Sequence, residues 1–322
     1  MENDLEFNGM AIANNIIKEV KKAVIGKDQV IIKVLLAILA KGHILLEDIP
    51  GVGKTTLALA FSRAMQLDYN RVQFTPDVMP SDVTGYNVYK KASDSFEYVK
   101  GAVLCNLFLA DEINRTSSKT QSALLQVMEE GKVTVDLKTY EVPKPFAVIA
   151  TQNPTGHAGT QLLPESQLDR FIMRLSLGYP TPDDELSILK SKANKTPLNE
   201  INAVASAQDI ISMQDKVSQI FVDDTIYAYA VCLVVKTRNN DLVQLGASPR
   251  GTISLINISR ARAYLSGRDF VLPIDVQQAF IDTIAHRIIL KPKAKVSNVT
   301  VLDILCSIMK TTPAPAIEKQ QQ

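Results

Sequence analysis

The sequence lacks several residues that mark particular classes of protein. Among its 322 residues there is no tryptophan, and cysteine and histidine occur only three times each. Cys105, Cys232 and Cys306 are far apart along the chain and form no CxxC pair. The sequence therefore predicts neither a disulfide framework nor a cysteine-based metal site, and it favours reduced core thiols in a cytoplasmic protein.

An excess of one charge is also missing. Lysine and arginine total 35, aspartate and glutamate total 34, and the net charge is +1. A chain this close to neutrality has no global attraction to nucleic acid or anionic lipid, although a local basic stripe is compatible with it. We therefore expect no nucleic-acid partner.

Apolar runs are too short to cross a bilayer, which needs about 20 residues. The longest are VIIKVLLAILA (30–40) and YAYAVCLVV (227–235), and both predict buried helices. The N-terminal MENDLEFNGM lacks the basic start and apolar run of a secretory signal. These features predict no membrane insertion and a cytoplasmic location.

The first half of the chain alternates short β-rich runs with helix-period segments, which is typical of a parallel sheet with helices on both faces. The strand-like runs are GHILLED (42–48), NRVQF (70–74), NLFLAD (106–111), FAVIATQN (146–153) and RLSLGY (174–179). KVTVDLKTYEV (132–142) alternates around a short turn and predicts a β-hairpin. The turn-rich segment 75–94 predicts an insertion outside the core.

Helical patterns dominate after a proline-marked boundary near 180–185. They cover 183–194, 208–221, 223–238, 249–266, 273–290 and 298–310. We predict an α/β domain over 1–182 and an all-helical domain over 183–322, with a frayed proline- and glutamine-rich tail from 311.

The strongest chemical signal is LLEDIPGVGKTTLA (45–58), in which a strand pattern runs through glycines into a helix. Backbone N–H groups of such a loop curl around phosphates, and the helix N-terminus adds its positive dipole end. Lys54 is expected to reach the β- and γ-phosphates, and the Thr55 hydroxyl to hold Mg²⁺. The predicted loop residues are Pro50, Gly51, Val52, Gly53, Lys54, Thr55 and Thr56. Asp48 stands where the usual pattern has its first glycine, and Pro50-Gly51 is expected to supply the bend.

The apolar run 106–111 ends in two adjacent carboxylates, Asp111 and Glu112. Because neighbouring residues of an extended chain point in different directions, one can face a metal and the other an attacking water. Asp111 is predicted to bind Mg²⁺ and Glu112 to act as general base.

Three further residues complete the predicted site. Asn153 ends the next strand pattern, where an amide can bind the attacking water and the γ-phosphate. Arg170 lies in LPESQLDRF, on a predicted short helix before the fifth strand, and is expected to reach a neighbouring subunit. Arg250 opens a helix of the second domain and is expected to reach the γ-phosphate of its own subunit.

The order of GVGKTT, LFLADE, IATQNP, LPESQLDRF and GASPR resembles the MoxR family of AAA+ ATPases, from about residue 12 to residue 300. QFTPDVMPSDVTGY (73–86) and LLQVMEEGKVTVD (124–136) are similar to that family's helix-2 insertion and pre-sensor hairpin. The resemblance implies a P-loop αβα core (insertion about 75–100, hairpin about 131–145) followed by a helical lid. It also implies that Asn153 is sensor 1, Arg170 an arginine finger and Arg250 sensor 2, with Val24, Ile25 and Gly26 beside the adenine. Arg174 is a rival finger, on the same face if the helix continues.

The expected activity is Mg²⁺-dependent ATP hydrolysis that moves the lid against the core. The resemblance implies a hexameric ring with chaperone-like action on a client protein. Members of the family often act with a partner that carries a von Willebrand factor A domain, sometimes to insert a metal or cofactor. Alternatives are a nucleic-acid motor, a nucleotide-switched scaffold that does not hydrolyse ATP, and a small-molecule kinase. The intact Glu112 and Asn153 argue against the scaffold. A kinase needs neither Glu112 as base nor an arginine from a neighbour.

Overall fold

The computed structural model describes residues 2–153, 163–194 and 196–316. The strands in these ranges are β1 Ile44–Glu47, β2 Tyr69–Gln73, β3 Gly85–Lys90, β4 Ser95–Lys100, β5 Leu107–Asp111, β6 Lys132–Val135, β7 Lys138–Glu141, β8 Ala147–Gln152, β9 Met173–Leu175, β10 Val243–Leu245 and β11 Ile289–Leu290. The helices are α1 Glu2–Ala23, α2 Asp28–Leu39, α3 Lys54–Ala64, α4 Pro80–Thr84, α5 Ser118–Glu130, α6 Glu165–Leu168, α7 Pro182–Asn194, α8 Ala207–Gln219, α9 Asp224–Arg238, α10 Pro249–Leu265, α11 Pro273–Ile284, α12 Pro292–Val296 and α13 Val301–Thr311.

The central sheet has five parallel strands in the order β2-β5-β8-β1-β9. Every residue of β5 and β8 is buried, because helices cover both faces of the sheet. Alternate side chains point to opposite layers: Leu45 and Phe108 pack with α5, whereas Ile44 and Leu109 pack with the first helices. The predicted parallel α/β core is therefore confirmed.

The fifth predicted strand, RLSLGY (174–179), is shorter than expected. Strand β9 ends at Leu175, and the backbone turns away through Gly178, which has a φ of +61°. The N–H groups of Leu177 and Gly178 donate to the Asp48 side chain and not to a neighbouring strand. The apolar alternation of these residues is compatible both with a longer strand and with a segment that leaves the sheet, so the sequence could not distinguish the two.

The hairpin predicted at 132–142 is present as the antiparallel pair β6–β7, turning at Asp136 and Leu137. The segment predicted as an insertion differs from expectation in two ways. It contains α4 and leads into a second antiparallel hairpin, β3–β4, and Val83 within it is fully buried in the core. Tyr86 and Tyr89 on that hairpin are about half exposed.

The second half is mainly helical, as predicted, with one difference. The helix expected over 273–290 ends at Ile284, and the chain continues through a 3₁₀ turn (Ala285–Arg287) into β11, which pairs with β10. Helix α7 begins at Pro182. No helix in the described ranges is both long and apolar enough to cross a membrane.

The N-terminal helices connect the sheet to the second half. Helices α1 and α2 bury Ile16 and Leu35 in the same apolar cluster as Ile258 of α10. A Cβ on Gly9 of α1 would lie 1.9 Å from the Tyr264 hydroxyl oxygen, so glycine permits the close approach of α1 and α10. One apolar cluster therefore contains residues from both sides of position 182 in the sequence. The domain division at 182/183 stays a prediction.

Candidate functional site

The loop between β1 and α3 has the conformation that its glycines allow. Gly51 and Gly53 have φ values of +87° and +99°, and an added Cβ would meet nothing within 4 Å at either position. The glycines are needed for backbone conformation and not for space. Helix α3 begins at Lys54, so its free N–H groups and positive dipole end face the loop. Val52, Thr55 and Thr56 are partly buried beside it.

Lys54 is held inside this loop. Its ammonium donates to the Asp48 carbonyl oxygen at 2.6 Å and to Asn153 Oδ1 at 3.2 Å, and the residue is 7% exposed. Burial lowers the pKa of Lys54, and the nearby charges of Asp48, Asp111 and Glu112 partly oppose that shift. A negatively charged group in the loop would compete for this ammonium.

Asp111 lies at the carboxyl end of β5 and is 8% exposed. Its Oδ1 accepts a 2.6 Å hydrogen bond from the Thr151 hydroxyl, and its Oδ2 accepts two from the Arg71 guanidinium, at 2.7 and 3.2 Å. Thr151 and Arg71 come from the flanking strands β8 and β2. These donors hold the carboxylate in a fixed orientation.

Glu112 diverges from Asp111 for a different reason than predicted. The chain is not extended here: β5 ends at Asp111, and Glu112 adopts a left-handed conformation with φ +56° and ψ +46°. A non-glycine residue in this region stores about 1–3 kcal/mol of strain, which is typical of functional sites. The Glu112 N–H donates to Thr151 Oγ1 at 2.9 Å, which supports the turn.

The Glu112 carboxylate lies between two donors. Its Oε2 accepts a 2.6 Å bond from Arg115, and its Oε1 accepts a 3.0 Å bond from Asn153 Nδ2. Burial alone would raise the pKa of Glu112, but the hydrogen bonds from Arg115 and Asn153 outweigh it and lower the pKa. The group is therefore an ionised carboxylate at neutral pH.

Asn153 brings the predicted residues together. Its side chain accepts from Lys54 through Oδ1 and donates to Glu112 through Nδ2. The amide sits at the end of β8, between β1 and β5, and is 7% exposed. Pro154 and His157, which follow it in sequence, lie outside the described residues.

Arg170 and Arg250 lie side by side, at the opposite end of the sheet from Lys54. Both pair with Glu129 near the end of α5, Arg250 at 2.5 Å and Arg170 at 3.4 Å. The two arginines line a cavity of about 190 Å³ with residues 40–43, which precede β1. The phosphate loop instead follows β1, about 13 Å further along a four-residue strand.

Two expectations about the arginines are therefore wrong. Arg250 does not reach towards Lys54 of its own subunit, because its helix starts beside the amino ends of the strands. Arg174 does not continue a helix from Arg170: α6 ends at Leu168, Arg170 lies in the following turn, and Arg174 is on β9. There Arg174 pairs with Glu47 of β1 at 2.9 Å.

Comparisons with known proteins agree with this architecture. Residues 43–173 match the ATPase family associated with various cellular activities (AAA), and residues 235–305 match the AAA lid domain. The chain is 36% identical over 313 residues to "Chaperone MoxR1" of Mycobacterium tuberculosis, covering 94% of this chain and 82% of that protein. The chain belongs to the MoxR family of AAA+ ATPases.

Two further relatives support the assignment of this MoxR-family ATPase. "Uncharacterized protein YeaC" of Bacillus subtilis is 45% identical over 299 residues, 93% of each chain. A crystal structure of a candidate ATPase from Cytophaga hutchinsonii superposes with a TM-score of 0.90 at 33% identity, covering 98% of both chains. The fold is thus an AAA+ core followed by a helical lid, and nucleotide binding follows from the family.

The segment predicted to lie beside the adenine, residues 24–26, packs against the first turn of α7. Gly26 has a φ of +72°, and a Cβ there would be 2.2 Å from Asp184 Oδ2. Lys27 donates to the Tyr179 carbonyl at 2.8 Å, and Ile25 is partly buried next to it. In this MoxR-family ATPase the segment 24–27 therefore contacts the residues between β9 and α7, which lead to the lid.

Sequence reasoning missed several residues of the site. Arg115 is three residues after Glu112, and this spacing could have indicated an ion pair. Arg71 and Thr151 gave no such signal, because only strand order places them beside Asp111. Asp169, next to Arg170, was also missed: it binds Ser248 at 2.8 Å and Arg287 at 2.7 Å, both in the lid.

Proposed function

We propose that this protein binds Mg²⁺-ATP in the phosphate loop and hydrolyses it to drive chaperone-like remodelling of a protein client. The observation that supports the proposal most directly is the Asn153 amide, which contacts Lys54 at 3.2 Å and Glu112 at 3.0 Å. A phosphate-binding cation and a carboxylate base thereby share one positioned neighbour, which fits a site where cations surround the γ-phosphate and a polar side chain orients the attacking water.

Thr55 and Asp111 would hold the Mg²⁺ ion. Both offer oxygen, the donor that this ion prefers, and Mg²⁺ completes its shell with water and substrate phosphates. In the described part of the chain no group of three or more His, Cys, Asp or Glu side chains could hold a metal by itself. When bound, the ion would neutralise charge on the phosphates.

Glu112 would accept the proton of the attacking water. Its lowered pKa keeps the carboxylate ionised, and a general base must be ionised to act. Lys54 would leave the Asp48 carbonyl to bind the phosphates. Asn153 would keep both groups oriented while this exchange takes place.

We further propose that Arg170 and Arg250 both complete the site of a neighbouring subunit in a ring, which by resemblance to the family would be a hexamer. Their common partner Glu129 is exposed on the face opposite the phosphate loop. A phosphate group presented by a neighbour would compete with Glu129 for both guanidiniums, since each can bind an oxyanion in a bidentate manner.

We expect the client to be a protein, because the name of the relative "Chaperone MoxR1" describes that relative as a chaperone. A partner with a von Willebrand factor A domain, and delivery of a metal or cofactor to the client, are finer proposals. They rest on the resemblance to the MoxR family.

The experiment compares Glu112→Gln with Lys54→Ala in ATP-binding calorimetry and phosphate release. We expect Glu112→Gln to bind ATP and to lose turnover by about 10²-fold or more, because the amide keeps the shape but accepts no proton. Lys54→Ala should lose tight ATP binding, because its ammonium meets the phosphates. Retained turnover in Glu112→Gln would remove the base assignment, and unchanged ATP affinity in Lys54→Ala would remove the site.

The same Glu112→Gln protein identifies the type of client. With ATP it should capture a protein from a lysate, whereas the Lys54→Ala protein should not. Stimulation of the wild-type ATPase by DNA at moderate salt would instead support a nucleic-acid motor, and a wild-type protein without phosphate release would support a nucleotide-switched scaffold.

A further inference from the structure

Asp48, at the position where phosphate loops usually have glycine, binds the segment that leads to the lid. We call residues 176–181, between β9 and α7, the linker. Asp48 Oδ1 accepts from the Ser176 hydroxyl at 3.1 Å and from the Gly178 N–H at 3.2 Å. Its Oδ2 accepts from the Leu177 N–H. The residue is 6% exposed, so its carboxylate is enclosed by these linker donors.

The backbone gives no reason for a special residue at position 48. The loop positions with positive φ are Gly51 and Gly53, and Asp48 is not among the residues with positive φ. Many side chains could occupy its conformation, whereas a buried carboxylate is costly unless it is hydrogen-bonded. The three linker donors therefore account for an aspartate at this position.

The same residue also contacts the predicted phosphate-binding lysine. The Asp48 carbonyl oxygen accepts from Lys54 Nζ at 2.6 Å, and its N–H donates to the Gln152 carbonyl at 3.2 Å. Binding of a phosphate in the loop would draw Lys54 away from that carbonyl. Lys54 would thereby release Asp48, and the Asp48 side chain is the group that binds the linker.

We propose that Asp48 is a positioning residue that couples occupation of the phosphate loop to the linker and, through it, to the start of α7. The coupling follows from one residue making both contacts, with its carbonyl on Lys54 and its carboxylate on three linker donors. A glycine at this position would leave the loop able to bind phosphate but would leave the linker unattached. This inference rests on the proposed nucleotide site.

The test measures hydrogen exchange of the Leu177 and Gly178 amides with and without ADP, in the wild type and in Asp48→Gly. In the wild type we expect ADP to change the exchange rates of both amides. In Asp48→Gly both should exchange about tenfold faster or more, because charge-assisted hydrogen bonds are lost, and ADP should no longer alter them. ADP affinity should stay within about threefold of wild type, since no phosphate contact is removed.

Turnover gives a second measurement. We expect Asp48→Gly to lower kcat several-fold and to leave KM nearly unchanged, because ground-state binding is intact. Asp241→Gly, at an exposed aspartate in a turn of the lid, is the matched control and should leave exchange, kcat and KM unchanged. If Asp48→Gly does not fold, Ser176→Ala removes one of the linker donors and should accelerate exchange at the same two amides to a smaller extent.

The outcomes separate this inference from the proposed function. An ADP response of the Leu177 and Gly178 amides that persists in Asp48→Gly would overturn the role of Asp48, and so would a wild type without such a response. Normal ADP affinity in Lys54→Ala would instead overturn the nucleotide site itself. Loss of ADP affinity in folded Asp48→Gly would make Asp48 part of the phosphate site and would also contradict the inference.

Discussion

At the scale of single residues, Asn153 shows why the type of side chain matters as well as its position. A carboxamide has an acceptor and two donors, so it can receive a hydrogen bond from Lys54 and give one to Glu112. An aspartate could accept from the lysine but would repel the glutamate, and an apolar residue could do neither. The asparagine therefore allows a cation and an anion to be held 3.2 Å and 3.0 Å from the same amide.

His43 is a second residue whose chemistry depends on its surroundings. Its Nδ1 accepts from the Val148 N–H at 3.0 Å, and its Nε2 lies 2.9 Å from the Met128 carbonyl. These partners fit the neutral ring with its proton on Nε2. Burial lowers the pKa of His43 from 6.5 to about 4, with the Met128 contact opposing the shift. Burial also lowers the pKa of His286.

We predict that acidification destabilises the protein through these histidines. Between pH 6.5 and 4 the unfolded chain binds a proton at residue 43 that the folded protein does not, so stability falls as the pH falls through this range. From pH 7 to pH 5 the contribution of His43 is a loss of about 2 kcal/mol. Denaturant unfolding at the two pH values measures it. His43→Gln should show a drop smaller by about that amount, and equal drops would contradict the assignment.

At the scale of elements, the turn that carries Arg170 is attached to the lid. Asp169 accepts from Arg287 Nε at 2.7 Å and from Ser248 Oγ at 2.8 Å, and the Phe171 carbonyl accepts from Arg287 at 2.7 Å. The Arg287 side chain is only 2% exposed. Ser248 is also the N-cap of α10, whose second residue is Arg250. One set of contacts thus fixes both arginines relative to each other.

We predict that Asp169→Asn destabilises the protein by about 3 kcal/mol, because it leaves the buried Arg287 guanidinium without its carboxylate. Nucleotide affinity should be retained, since the phosphate loop is at the other end of the sheet. Denaturant unfolding measures the loss. Asp215→Asn is the matched control: it breaks the exposed ion pair with Lys41 and should cost less than about 1 kcal/mol. Equal effects of the two changes would show that the Asp169 contacts are no stronger than a surface pair.

At the scale of the whole molecule, the two halves of the proposed machinery occupy opposite ends of the sheet. Lys54, Asp111, Glu112 and Asn153 lie at the carboxyl ends of the strands, and Arg170 and Arg250 lie near the amino ends of β1 and β9. A single subunit therefore cannot bring both sets to one phosphate. An assembly would do so if the carboxyl ends of one subunit's sheet strands faced the amino ends of its neighbour's sheet strands.

Mixing two inactive variants tests this arrangement. Arg170→Ala should bind ATP in its own loop and lose about 10³–10⁵ in turnover, the usual range for an arginine supplied by a neighbour. Addition of Lys54→Ala should restore part of the activity, because an intact loop then meets an intact arginine. Steady-state phosphate release across mixing ratios measures the recovery. Full activity of Arg170→Ala alone would contradict a trans role for Arg170. Absent recovery in assembled mixtures would also contradict it and would leave Arg250 as the arginine supplied by the neighbour.

Much of the architecture could be predicted from sequence because it depends on local patterns. The parallel sheet and the β6–β7 hairpin follow from apolar periodicity and turn residues. The β3–β4 hairpin and the small β10–β11 pair were missed, since their strands are exposed or very short. Local periodicity gives a weak signal in such segments.

The sequence by itself determined the type of chemistry, because a phosphate loop and strand-terminal carboxylates are encoded by consecutive residues. Only the tertiary structure decided which residues meet across the sheet: Arg71 on Asp111, Asp48 on the linker, and Arg250 beside Arg170 and not beside Lys54. The physical reason is that strand order and helix packing bring together residues from distant parts of the chain. A hydrogen bond requires its donor and acceptor to be placed to within a few tenths of an ångström, and no spacing along the sequence specifies that placement.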